Sequence, residues 1–134
     1  MPNTRSPVIV IVNDEEAPLR SCEIILRRLY KDVDLILLQD SVEALQKLST
    51  QNPDLLITGT WFPRVRGKEF VEQLMERGAA YPIIVMSAYE PEESWVREHQ
   101  ARGRKITFLG LPFELATFQE VVAASLKITP DPLN

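Results

Sequence analysis

Five short apolar runs are spaced along the chain, and longer segments that mix polar and apolar positions lie between them. The runs are Val8–Val12, Leu35–Leu38, Leu55–Ile57, Ile83–Met86 and Ile106–Leu109. Because these runs are apolar at nearly every position rather than at alternate ones, we expect both of their faces to be covered. The pattern therefore predicts a parallel sheet with helices packed on both sides.

The intervening segments carry apolar residues three or four positions apart, which is the spacing of a helix face. The stripes are Leu19, Cys22, Leu26 and Leu29; Val42, Leu45 and Leu48; Phe70, Val71, Leu74 and Met75; and Leu115, Phe118, Val122 and Leu126. A further helix around Glu93 to Ala101 has only Trp95, Val96 and His99 to form a face. It is the least well defined of the five predicted helices.

Residues that begin or end helices support this division. Asp40 with Glu43 predicts a capping box at the start of the second helix. Gly78 and Gly103 are typical helix stops, and Pro91 is a typical helix start.

The alternation of strands and helices predicts an α/β fold, a doubly wound five-stranded parallel sheet of order 2-1-3-4-5 with five helices. A single domain spans residues 1–134, with its core at about 6–128 and a tail or linker stub at 129–134. In such folds, functional residues follow the carboxyl ends of the strands, near the switch point between strands 1 and 3. The residues in these places are Asn13, Asp14 and Glu15; Gly59, Thr60 and Trp61; Ser87 and Ala88; and Leu111 and Pro112.

Composition narrows the class of protein. With 45% hydrophobic and 25% charged residues, the chain is typical of a soluble globular domain. A net charge of −4 gives no reason to expect nucleic-acid binding, and no apolar run approaches the ~20 residues that span a membrane. A single cysteine, Cys22, excludes an internal disulfide. Together these features favour a cytoplasmic protein.

Several stretches resemble the response-regulator receiver domain of two-component signalling, which has a flavodoxin-like fold. They are VIVIVNDEE at strand 1, DSVEALQKL at helix 2, PDLLITGTWFP at strand 3, PIIVMSAYE at strand 4 and FLGLPFE at strand 5. Each match is weak alone, but their order and spacing agree with the family from about residue 6 to residue 128.

The resemblance implies a phosphoacceptor aspartate, two acidic residues that hold Mg²⁺, and a hydroxyl and a lysine that contact the phosphoryl oxygens. Asp14 matches the second acidic residue and Ser87 matches the hydroxyl. Asn13 stands in place of the first acidic residue, Gly59 in place of the phosphoacceptor, and Leu111 in place of the lysine. Because glycine has no side chain, it cannot accept a phosphoryl group. These five residues therefore predict a degenerate phosphoacceptor pocket.

The loss of charge bears on metal binding and catalysis. With Asp14 the one carboxylate left in the pocket and Glu15 nearby, we expect at most a weak, hydrated Mg²⁺ site. No resident metal or other cofactor is expected, and the chain is predicted not to be an enzyme. Phe108 stands at the position of the family's switch aromatic and lacks a hydroxyl.

A few other residues invite a functional interpretation. Trp61 either folds over the emptied pocket or is exposed for a partner. His99 is expected at the surface or partly buried, and Cys22 in the core. Arg64 and Arg66 are either solvated or bind an anion beside the pocket.

The leading hypothesis is a pseudo-receiver, a phosphorylation-independent signalling module that acts by protein–protein interaction. Its partner would be a histidine kinase, a phosphotransfer protein or an output protein, or a second copy that associates through helix 4, strand 5 and helix 5. One alternative is a phosphorelay response regulator that retains some phosphoryl or Mg²⁺ binding. Another is a flavodoxin-like domain that binds a small ligand, an idea that rests on the fold alone.

Overall fold

The computed structural model describes residues 6–131, which form a five-stranded parallel sheet flanked by five helices. The strands are β1 (Val8–Val12), β2 (Asp34–Leu38), β3 (Leu55–Thr58), β4 (Ile83–Ser87) and β5 (Ile106–Gly110). The helices are α1 (Glu16–Leu29), α2 (Ser41–Lys47), α3 (Gly67–Glu76), α4 (Glu92–Ala101) and α5 (Leu115–Leu126). The strands lie in the order β2-β1-β3-β4-β5, so the predicted fold is confirmed.

Successive residues of the inner strands point to opposite faces of the sheet and enter two separate apolar clusters. Val10 of β1 belongs to the cluster that contains Phe70 of α3. Its neighbour Ile11 belongs to the cluster that contains Cys22 of α1 and Phe118 of α5. Both clusters exclude solvent, which explains why the strands are apolar on both faces.

The helix predictions hold with one exception. Helix α4 forms and buries Trp95 and Val96 as expected, and His99 is buried with them. Leu115, however, is 59% exposed, so its assignment to the buried stripe of α5 was wrong. It is the first residue of α5, and this helix reaches the core through Phe118, one turn later.

The predicted residues stand at the helix ends, with the Asp40 half of the capping box formed. The Asp40 carboxylate accepts a hydrogen bond from the backbone N–H of Glu43 at the start of α2. Pro91 immediately precedes α4 as its N-cap. Gly78 and Gly103 follow α3 and α4 with φ of 89° and 81°, which is left-handed backbone that favours glycine.

The polar segment after α5 is anchored as far as Asp131. The hydroxyl of Tyr30 donates to the carbonyl of Ile128 at 2.9 Å, and the backbone N–H of Asp131 donates to the carbonyl of Leu29 at 2.7 Å. The Asp131 carboxylate accepts from the backbone N–H of Lys31 at 2.6 Å. This part of the predicted tail is therefore held against the end of α1, while residues 132–134 lie outside the described residues.

None of the helices within residues 6–131 is long and apolar enough to cross a membrane.

Candidate functional site

The carboxyl ends of β1, β3 and β4 bring the predicted site residues to one edge of the sheet. The backbone N–H of Gly59 donates to the carbonyl of Val12 at 2.8 Å, which fixes the end of β3 beside β1. On the other side, the N–H of Leu111 donates to the carbonyl of Ser87 at 3.0 Å. The expected convergence at the switch point therefore follows from the strand order.

Asn13 fills the space beside Gly59. Its side chain is 7% exposed, and its Nδ2 atom would lie only 3.1 Å from a Cβ atom placed on Gly59. The Oδ1 atom of Asn13 accepts a hydrogen bond from the backbone N–H of Glu15 at 2.9 Å. A larger residue at position 59 would therefore push against an amide that is already engaged.

The hydroxyl groups of this edge are satisfied by their neighbours. Ser87 is 4% exposed, and its Oγ accepts from the backbone N–H of Tyr89 at 3.0 Å and from Oγ1 of Thr60 at 3.3 Å. The hydroxyl of Thr58 donates to the carbonyl of Gly59 at 2.9 Å. These contacts suit structural hydroxyls at strand ends.

Two apolar side chains occupy the β5 side of the edge. Leu111 is partly buried against the cluster that α1 and α5 form with the sheet. Phe108 is partly buried on the opposite face, against the cluster that contains α3 and α4. Neither can offer a charge or a hydrogen bond to a ligand.

The acidic residues after β1 face solvent. Asp14 and Glu15 are both exposed. Within residues 6–131 there is no group of three or more His, Cys, Asp or Glu side chains placed to hold a metal ion. Asp54 lies at the far end of the sheet, where its carboxylate accepts from the backbone N–H of Val8 at 2.7 Å.

Trp61 projects into solvent rather than over Gly59. Its side chain is 53% exposed, and the guanidinium carbon of Arg66 lies 4.7 Å from the centroid of its ring. The ring of Tyr89, which is 51% exposed, lies 6.2 Å from that of Trp61. Of the two alternatives for Trp61, the structure thus favours the exposed one. Tyr89 was missed in the sequence, although the adjacency of β3 and β4 places their following loops side by side.

His99 is buried, at 5% exposure, so the expectation of a surface or partly buried histidine was wrong. Its Nδ1 atom lies 2.6 Å from Nη1 of Arg104, and its Nε2 atom lies 2.9 Å from Oε2 of Glu72. Because arginine can only donate, Nδ1 accepts, and Nε2 carries the proton donated to Glu72. The imidazole can be buried because both nitrogens have partners.

Cys22, Arg64 and Arg66, which were also candidates in the sequence, each contact other residues of the chain. Cys22 is fully buried, and its burial raises the pKa of its thiol to about 12, so the thiol is protonated and unreactive at neutral pH. Arg64 forms an ion pair with Asp40. Both arginines are therefore engaged within the chain, Arg64 by the Asp40 carboxylate and Arg66 by the ring of Trp61.

The fold and this edge define an α/β domain of the doubly wound class, with its candidate site at the β1–β3 switch point. Residues 9–120 match the profile of the family described as response regulator receiver domain. The chain therefore belongs to the response regulator receiver domain family.

Relatives and solved structures agree with this assignment. The chain is 32% identical to the alkaline phosphatase synthesis transcriptional regulatory protein PhoP of Bacillus subtilis over 63% of its length and 34% of that protein. It is 34% identical to the response regulator MprA of a Mycobacterium species over 61% of its length and 35% of that protein. The chain thus spans about a third of the length of the curated relatives it matches.

The fold is similar to that of the signal receiver domain of an HD domain-containing protein from Pseudomonas fluorescens. The TM-score is 0.81 at 20% identity, and the match covers 95% of this chain and 91% of the other. At this identity the likeness concerns the fold alone.

Proposed function

We propose that this receiver domain is a pseudo-receiver, which signals by protein–protein interaction without taking a phosphoryl group. The observation that carries the proposal is the pair at the β1–β3 junction. Gly59 offers no side chain at the position that the family resemblance assigns to the phosphoacceptor, and the amide of Asn13 lies 3.1 Å from where a Cβ atom would be. Position 59 therefore carries no nucleophilic side chain, and a Cβ atom there would crowd the amide of Asn13.

The charges around the pair support the same proposal. Phosphoryl transfer needs Mg²⁺ to neutralise the charge that builds on the phosphoryl oxygens, and Mg²⁺ prefers several carboxylate and water ligands. Asp14 is the one carboxylate at the three acidic positions that the resemblance assigns. Leu111, in the place of the lysine, is partly buried in an apolar cluster, where an ammonium without a phosphoryl partner would be costly. We therefore propose no resident cofactor and no enzymatic activity.

The partners are proposed from the family. PhoP is described as a transcriptional regulatory protein and MprA as a response regulator, so a histidine kinase, a phosphotransfer protein or an output protein is the expected class of partner for this chain. The proposal includes a cytoplasmic location, which suits the buried free thiol of Cys22. Nucleic-acid binding by this domain is not proposed, because its net charge is −4.

The test is a titration with Mg²⁺ and beryllofluoride, an analogue of the phosphoryl group, followed by amide NMR shifts at Asp14, Gly59 and Ser87. We expect no saturable change at millimolar Mg²⁺. Incubation with acetyl phosphate, followed by intact-mass measurement, should show no added phosphoryl group. Saturable shifts at these residues, or an added phosphoryl group, would instead establish a conventional phosphorelay receiver.

A further inference from the structure

The segment that follows α5, residues 127–131, lies against the end of α1, and we call it the strap. Three hydrogen bonds join it to this end. One runs from the hydroxyl of Tyr30 to the carbonyl of Ile128 at 2.9 Å, and Asp131 makes the other two with backbone groups of α1 and of the turn after it, at 2.7 and 2.6 Å. Ile128 also packs against the apolar cluster that α1 and α5 share with the sheet. Polar and apolar contacts thus hold the strap closed.

The strap begins at Lys127, whose backbone is left-handed, with φ of 57° and ψ of 32°. Among residues 6–131 it is the one residue other than glycine with a positive φ. A side chain makes this conformation costly, and glycine avoids that cost, as Gly78 and Gly103 do after α3 and α4. Lys127 is exposed, so burial of its side chain does not compensate. The strain at Lys127 is therefore maintained by the contacts that the strap makes beyond it.

A right-handed backbone at Lys127 would continue α5 instead. The N–H groups of Ile128 and Thr129 would then donate to the carbonyls four residues earlier in α5. Pro130 would end this extension, because it lacks an N–H group and disfavours helical backbone in the residue before it. The strap would lose its bonds to α1, but two helical bonds would form and the strain at Lys127 would be relieved. The two arrangements therefore compete through the backbone of one residue.

The phenol of Tyr30 is suited to hold the strap at neutral pH. Tyr30 is 3% exposed, and its burial, together with the nearby Asp131 carboxylate, raises the pKa of the phenol. The hydroxyl therefore keeps the proton that it donates to the carbonyl of Ile128. This bond is lost only as the pH rises through the raised pKa, in alkaline solution.

We propose that the strap is a two-state conformational device with Lys127 as its hinge. In the closed state, Asp131 is held at the edge of the sheet where the strands begin, because α1 ends and β2 starts there. This edge is opposite to the one that carries Gly59. In the open state, α5 is longer, and the hydroxyl of Tyr30 and the carbonyl of Leu29 are free for other contacts. The strap thus moves without any phosphoryl group, and this inference does not rest on the proposed function.

The first test is amide hydrogen exchange of the full chain, read at Asp131 and Lys31, whose N–H groups donate in the closed strap. We expect both amides to be protected but to exchange faster than the amides of β1, because the strap opens without unfolding of the core. Lys127→Gly removes the cost of the left-handed backbone and should slow exchange of both amides roughly tenfold. Lys127→Val carries a branched side chain that disfavours this backbone and should speed exchange by roughly the same factor.

The second test changes the bonds of the strap one at a time. Asp131→Ala removes the acceptor of the Lys31 N–H and should leave that amide unprotected, whereas Asp131→Asn keeps an acceptor and should retain its protection. Tyr30→Phe should speed exchange of the Asp131 amide and leave the amides of β1 unchanged. Leu115→Ala, at the other end of α5, is the control that should alter neither strap amide.

The extension of α5 has its own signature. In Lys127→Val, the Cα chemical shifts of Ile128 and Thr129 should move towards helical values, and in Lys127→Gly they should not. Urea denaturation establishes that the core of both variants is folded.

Three results would overturn the inference. Unprotected amides at Asp131 and Lys31 in the unmodified chain would mean that the strap is not closed. Exchange of these amides at the rate of the β1 amides in every variant would mean that the strap opens only when the domain unfolds. Equal exchange in Lys127→Gly and Lys127→Val would exclude Lys127 as the hinge. None of these results bears on the pseudo-receiver proposal, which fails only if the beryllofluoride titration saturates or acetyl phosphate adds a phosphoryl group.

Discussion

Two neighbouring regions at one edge of the sheet differ in how far their side chains are exposed to solvent. At the β1–β3 junction, Asn13 is buried beside Gly59, and its oxygen is bonded to the backbone. In the loops that follow β3 and β4, Trp61 and Tyr89 leave about half of their surface in solvent. The comparison indicates that the β1–β3 junction packs its side chains inward, while the loops after β3 and β4 expose aromatic side chains to solvent.

Gly67 joins the two regions, and its substitution should give the largest effect. A Cβ atom on Gly67 would lie 2.7 Å from Cα of Thr60 and 2.9 Å from the carbonyl oxygen of Gly59. We expect Gly67→Ala to lower the free energy of unfolding by about 3 kcal/mol, because backbone cannot yield as a flexible side chain does. Urea denaturation measures the change.

The control for this substitution is Gly110→Ala at the end of β5. A Cβ atom there would meet only the ring of Phe108, at an ordinary 3.7 Å. The expected change is about 0.5 kcal/mol or less. Equal losses in the two variants would mean that the loop after β3 is not held by close contact at Gly67.

Introducing the acidic residues and the lysine that the family resemblance assigns should allow the β1–β3 junction to bind Mg²⁺. The triple variant Gly59→Asp, Asn13→Asp and Leu111→Lys restores three carboxylates, with Asp14, and one lysine. We expect Mg²⁺ at a hundred times its dissociation constant to stabilise this variant by about 2.7 kcal/mol, because the ion binds the folded state only. Thermal melts with and without Mg²⁺ measure the difference, and the unmodified chain should show none.

A version of the triple variant with Gly59→Asn in place of Gly59→Asp is the matched control, since it has the same shape with one charge fewer. It should gain less from Mg²⁺ and should not respond to beryllofluoride. If both versions behave alike, the charge at position 59 does not govern Mg²⁺ binding at this edge.

Substitution of Asn13 alone should change the free energy of unfolding by an intermediate amount. Asn13→Ala leaves a void beside Gly59 and leaves the backbone N–H of Glu15 without its acceptor. We expect a loss of about 1 kcal/mol in the free energy of unfolding. Asn13→Asp keeps an acceptor for Glu15 and should lose less, so a larger loss in Asn13→Asp than in Asn13→Ala would contradict the bonding described here.

The smallest effect is expected in the second region. Trp61→Ala should change the free energy of unfolding by about 0.5 kcal/mol or less, because the indole is half exposed. In a Trp95→Phe variant, the fluorescence of Trp61 should be quenched readily by acrylamide at low protein concentration. Protection of that fluorescence in dilute solution would show that the indole is covered by its own chain.

Much of the fold could be predicted because a strand that is buried on both faces appears in the sequence as a continuous apolar run. Within residues 6–131, the five apolar runs located the strands, and the helical spacing between them located the helices. Leu115 was misplaced because helical spacing alone does not reveal where a helix first meets the sheet. His99 was placed too near the surface because its two partners, Glu72 and Arg104, lie outside helix α4 and do not belong to its helical pattern.

The sequence by itself determined which residues stand at the strand ends, including Gly59, Asn13 and Leu111, because parallel strands end at one edge in a fixed order. Only the tertiary structure decided that Asn13 fills the space beside Gly59 and that Trp61 meets Tyr89 in solvent. The physical reason is that spacing along the chain encodes local burial, whereas the direction of a side chain in a loop depends on contacts with residues far away in the sequence.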